Sequence, residues 1–71
     1  KQFDYLLVSG DDWMSKQKYH NAIFQYTLAL KIFPNDSVAN YRLLSAYDTR
    51  CENENKDCDR FEELLKNLSD D

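Results

Sequence analysis

The stretch Lys18 to Asp36, KYHNAIFQYTLALKIFPND, holds apolar residues at helical spacing for nearly four turns and then runs into the only proline of the chain. Tyr19, Ala22, Ile23, Tyr26, Ala29, Leu30 and Phe33 recur in steps of three and four, so an α-helix gathers them on one face. That face must be buried. Ala22 and Ala29 lie on one line of it, where small side chains let a neighbouring helix approach while the flanking aromatics fill the sides. Pro34 cannot donate to the helical ladder and disfavours a helical Phe33, and Asn35, Asp36 and Ser37 supply a turn and a cap. The pattern predicts a helix over 19–33, a sharp stop, and another helix directly after it.

The rest of the chain reads the same way. Phe3, Leu6, Leu7, Gly10, Trp13 and Met14 predict a helix over 3–16, closed by the polar joint SKQK. Ala39, Leu43, Ala46, Tyr47 and Arg50 predict one over 37–50 with Ser37 as its N-cap. Beyond CENENKDC, the residues Phe61, Leu64, Leu65 and Leu68 predict a fourth over 59–68, capped by Asp59. One Gly and one Pro leave little material for the tight turns of a β fold, so the class is all-α. A chain of 71 residues holds a single domain whose core is barely sufficient. Its net charge of −4, with no basic stripe, argues against nucleic acid as a partner. No apolar run reaches bilayer length, which argues against membrane insertion. A chain that begins at Lys1 without a secretion signal reads as a fragment of a longer protein or a processed product.

An internal repeat organises these helices. A shift of 34 residues superimposes Leu6 on Asn40, Ser9 on Leu43, Gly10 on Leu44 and Trp13 on Tyr47. Helix pairs at that period mark tetratricopeptide repeats. Gly10, Trp13, Ala22, Tyr26 and Pro34 stand at the small, aromatic, small, aromatic and proline positions of that family's pattern, and the chain resembles the family over nearly its whole length. The resemblance implies antiparallel helical hairpins stacked as a short solenoid, repeat one over 3–36 and repeat two over 37–71. In the second unit Asn40 replaces an aromatic and Leu44 a glycine, which implies looser packing. Its second helix follows at a shift of 42, with Tyr19 on Phe61, Ala22 on Leu64, Ile23 on Leu65 and Tyr26 on Leu68, so an insertion over 51–58 is expected between the helices.

The resemblance further implies a non-catalytic protein–protein interaction module that holds a peptide or protein segment in a concave groove lined by the first helix of each repeat. Carried over by position, the groove residues are Asp4, Leu7, Asp11 and Met14, then Tyr41, Ser45 and Asp48. This acidic and apolar surface suits a segment carrying Lys or Arg beside apolar anchors. The Lys, Arg and Asn clamp with which some members hold a chaperone's C-terminal carboxylate has only Arg42 here, beside Leu7 and Asp11. The alternative reading is a structural segment that associates with itself, because stacked repeats need neighbours to bury a continuous core. Phe24, Leu28 and Ile32 form an apolar line off the packed face of the second helix, a convex stripe expected to meet a second copy or a neighbouring repeat of the parent chain in weak pairing.

No enzymatic constellation emerges. His20, the sole histidine, lies off the packed face beside Asn21, and adjacent Asp11 and Asp12 point in different directions on a helix. A single glycine builds no phosphate-cradling loop, and no cofactor is expected. Cys51 and Cys58 lack zinc-site spacing and a second ligand pair, so no metal is expected. Two readings of them stand: a disulfide between helix ends, or two free thiols, with a thiol redox switch as a third class of function. The compartment follows the same fork, cytoplasmic if the thiols are free, periplasmic or extracellular if they are bridged.

Overall fold

The computed structural model describes residues 2–69, and these form four α-helices with no strand among them: α1 (Gln2–Ser15), α2 (Tyr19–Ile32), α3 (Ser37–Glu54) and α4 (Cys58–Ser69). Lys1, Asp70 and Asp71, the ends of the expected 1–71 unit, lie outside the described residues. Each helix packs on the one before it, and neighbours run antiparallel. Phe3 at the start of α1 meets Phe33 just past α2, edge to face with centroids 5.0 Å apart. Asn53 near the end of α3 donates to the Tyr19 hydroxyl at the start of α2 over 3.0 Å. The helices make a slab of 33 × 32 × 13 Å, too thin for a deep interior.

The core sits on α2. Tyr19, Ala22, Tyr26 and Ala29 are buried as the helical period requires, and Ala39, Leu43, Ala46 and Tyr47 of α3 with Leu6 and Leu7 of α1 complete the cluster. Ile23 and Leu30 pack at its margin, while Phe33 leaves the helix as its C-cap residue and is exposed. Trp13 is half-buried against the same cluster, with the Lys16 ammonium 5.2 Å from its ring. Gly10 lies on the Tyr26 ring, as the closest approach of the first two helices. A Cβ there would stand 2.7 and 2.8 Å from Cδ1 and Cζ of that ring, inside contact distance.

The junctions differ in detail from the sequence reading. The α1 helix ends in a Schellman arrangement: Gln17 takes a left-handed backbone (φ 61°), with Gln17 N–H donating to Met14 and Lys18 N–H to Trp13, each at 2.9 Å. The cap of α3 is Asp36 rather than Ser37, because Asp36 holds an extended backbone and its Oδ1 accepts from Ala39 N–H at 2.9 Å, leaving Ser37 as the first helical residue. The α3 helix then runs on to Glu54, so half of the expected 51–58 insertion is an added helical turn, ended by left-handed Asn55. The α4 helix starts at Cys58, which puts Asp59 in its first turn rather than at the cap.

The fourth helix is the least embedded. Only Phe61 and Leu64 of its expected apolar face pack on the core, while Leu65 and Leu68 are 44% and 43% exposed. Polar and covalent ties compensate. Cys51 and Cys58 stand at disulfide distance with Cα atoms 4.9 Å apart, joining the last turn of α3 to the first of α4. Arg50, its side chain only 15% exposed, bonds Asp57 at 2.8 Å and Glu54 at 3.2 Å across the same joint.

Candidate functional site

The face shared by α1 and α3 is organised around one carboxylate. Asp11 of α1 accepts from the Tyr26 hydroxyl of α2 through Oδ1 and from Arg42 Nη1 of α3 through Oδ2, the latter at 2.9 Å. Three helices thus meet at one side chain. Tyr26 is 1% exposed, and burial first, then its hydrogen bond to Asp11 and that carboxylate's charge, raise its pKa well above the ordinary tyrosine range, with Arg42 opposing. The phenol therefore stays a proton donor, and the Asp11 charge is shared between a neutral donor and a cation.

Around this knot lie shallow hollows. One of about 220 Å³ is lined by Asp11, Met14, Tyr26, Arg42 and Ser45. A second, of about 230 Å³, is lined by Tyr41, Leu44, Ser45, Asp48 and Phe61, so the two meet at Ser45. Ser37, Val38, Tyr41 and Arg42 bound a third at the start of α3. The structure thus gathers Asp11, Met14, Tyr41, Ser45 and Asp48 from the expected groove. Asp4 is exposed two turns before Asp11 and lines none of these hollows. Leu7, expected in the groove, is 7% exposed and belongs to the core cluster.

Tyr26, Leu44 and Phe61 line the hollows although their spacing had assigned Tyr26 and Phe61 to packing alone. The signal for them was the helical face itself, since a residue at the edge of a packed stripe has one side in the core and one in the groove. The convex stripe on α2 is interrupted. Phe24 and Ile32 are 58% and 41% exposed, but Leu28 between them is half-buried and packs on the core. His20 is exposed, its Nδ1 3.4 Å from Arg50 Nη1. Among the described residues no three His, Cys, Asp or Glu side chains gather as metal ligands, and no helix is long and apolar enough to cross a membrane. No family model, no curated protein and no solved structure matches the chain.

Proposed function

We propose that the chain is a tetratricopeptide-like, non-catalytic binding module whose two hairpins stack as a short solenoid and hold a protein segment against α1 and α3. The observation that carries this reading is the placement of apolar surface beside an unengaged carboxylate. Tyr41 borders a hollow that also presents Asp48, and Met14 borders the neighbouring hollow that meets it at Ser45. Asp48 makes no ion pair among the described residues, whereas Asp11 is held by Arg42. The charge offered to a ligand is therefore that of Asp48, with Asp4 at the far end. The ligand class that fits is a segment with an apolar anchor next to Lys or Arg.

Backbone NMR shifts during titration with short peptides carrying Lys beside Leu or Phe test this. Shifts should concentrate at Met14, Tyr41, Ser45 and Asp48, and Asp48→Asn should weaken binding by about 1 kcal/mol, roughly fivefold, as expected for one half-exposed ion pair. Equal binding of the same peptides with Glu in place of Lys, or shifts confined to the outer face of α2, would refute it.

A further inference from the structure

The outward line of α3 runs through Val38, Tyr41, Ser45, Asp48 and Glu52, in steps of three and four, and all but half-buried Asp48 are exposed. Ser45 is its one small member, so the ridge of the helix dips there. Tyr41, one turn before it, is 70% exposed and stands above the dip. On one side of the dip lies the hollow of about 220 Å³ lined by Met14 and Tyr26, and on the other the hollow of about 230 Å³ walled by Phe61. Ser45 is the single residue that lines both. Each hollow alone is smaller than the about 300 Å³ at which ligand pockets begin, and joined across Ser45 they exceed it.

The two hollows differ in charge. In the first, the Asp11 carboxylate is answered by the Tyr26 hydroxyl and by Arg42, whose Nη1 reaches it at 2.9 Å. The Arg42 side chain is 40% exposed, and a guanidinium has five N–H donors, so donors remain for a ligand at that edge. In the second, Asp48 makes no ion pair among the described residues and offers a negative charge. We infer that a bound segment crosses α3 at Ser45 with one apolar anchor in each hollow and its Lys or Arg at Asp48, and that the small Ser45 side chain selects for such two-anchor ligands. The inference rests on the binding reading above. Between the anchors, Arg42 and the Ser45 hydroxyl donate to a main-chain carbonyl of the segment. Crevices on either side of one helix are about 8 to 10 Å apart, the spacing of packed helix axes, and a polyproline-like segment covers that distance in three residues and returns to the same face. The fitting ligand is therefore an extended segment with apolar residues three positions apart and a basic residue beside one of them.

Calorimetric titration of the 71-residue chain with two peptides tests this. One carries Leu and Phe three positions apart with Lys beside the Phe, and the other has Ser in place of the Leu. The wild type should bind the two-anchor peptide about tenfold more tightly, as one further half-buried apolar side chain requires. Ser45→Leu raises the dip and should bring the two peptides within about twofold of each other while binding of the one-anchor peptide persists. Ser45→Ala keeps the dip low, so it should retain the tenfold preference and weaken both peptides about threefold through the lost hydroxyl. Ser45 is exposed on a helix and Leu is the better helix former, so the fold should survive, which circular dichroism verifies. Ser45→Gln provides a second raised variant if the first loses helix. A wild type that binds both peptides equally, or a Ser45→Leu chain that keeps the tenfold preference, overturns the inference and leaves the binding reading standing. A wild type that binds neither peptide refutes that reading and this inference with it.

Discussion

Reduction of the Cys51–Cys58 bridge should loosen α4 and leave the other three helices in place. The bridged residues are seven apart in sequence. Loop-closure entropy for that span is about 8 cal/mol/K, or about 2.4 kcal/mol at room temperature. Against it stands the rest of what docks α4. Phe61 and Leu64 are half-buried, and together they contribute about 2 to 3 kcal/mol, with up to about 1 kcal/mol more from Arg50 and Asp57. Much of that is spent on ordering, because a 12-residue helix is marginal by itself. Losing the bridge therefore brings the free energy of opening α4 close to zero, whereas α2 keeps its buried Ala22, Tyr26 and Ala29. Amide hydrogen exchange with and without a dithiol reductant, alkylated to hold the thiols, should show protection in α4 falling about fiftyfold and protection in α2 unchanged. Equal loss across all four helices, or no loss in α4, would show that the bridge is not what holds this helix.

Two further substitutions probe the contact between α1 and α2. Gly10→Ala forces a Cβ against a Tyr26 ring that cannot swing aside, since the ring is buried and its hydroxyl is tied to Asp11. Overpacking costs about 1 to 3 kcal/mol and better helix propensity returns about 1, a net loss of up to about 2 kcal/mol, so thermal unfolding should fall by up to several degrees, and a higher melting temperature would refute the contact. Tyr26→Phe tests the raised phenol pKa through alkaline stability. The folded state holds this proton more tightly than the unfolded chain, so the contribution is complete below about pH 10 and is lost as pH rises above it, at about 1.4 kcal/mol per pH unit. The variant should lose that share of the slope in urea melts between neutral and alkaline pH, and identical slopes would contradict the raised phenol pKa that burial, and then Asp11, impose.

The parts of this fold that were legible in the sequence are those written in periodicity and proline. The α2 face, its stop before Pro34 and the identities of the buried Ala and Tyr residues follow from spacing, because one helix carries them all. The joints were less legible because their signals are degenerate. Asp36 and Ser37 are both good capping residues, and only the backbone decides that Asp36 holds the position. Gln17 occupies a left-handed site that usually signals itself as glycine, so the end of α1 had no marker. The last turn of α3 has no apolar period to announce it, and Arg50, four residues before Glu54, ties it instead. In the groove, Asp11 could be placed on a face but not paired, since Tyr26 and Arg42 lie 15 and 31 residues away. Leu7 sat on the expected groove side of α1, yet it is buried in the cluster that α1, α2 and α3 share, and burial among following helices is a property of the stack rather than of the segment.

The uneven distribution of packing separates what the groove needs from what the bridge supplies. The hollow around Asp11, Met14, Arg42 and Ser45 is built on α1, α2 and α3 alone, the helices that own every buried residue of the core. The α4 helix contributes no buried residue and lends Phe61 to the neighbouring hollow only. Loosening α4 by reduction thus removes one wall of the Asp48 hollow while the Asp11 carboxylate keeps both of its donors, because neither Tyr26 nor Arg42 touches the joint at Cys51. An apolar anchor that depends on Phe61 would lose its seat under reducing conditions, and contacts to Met14 and Tyr41 would persist. The bridge consequently acts on the reach of the Asp48 hollow toward α4, and the three-helix core beneath it is sustained by its own packing.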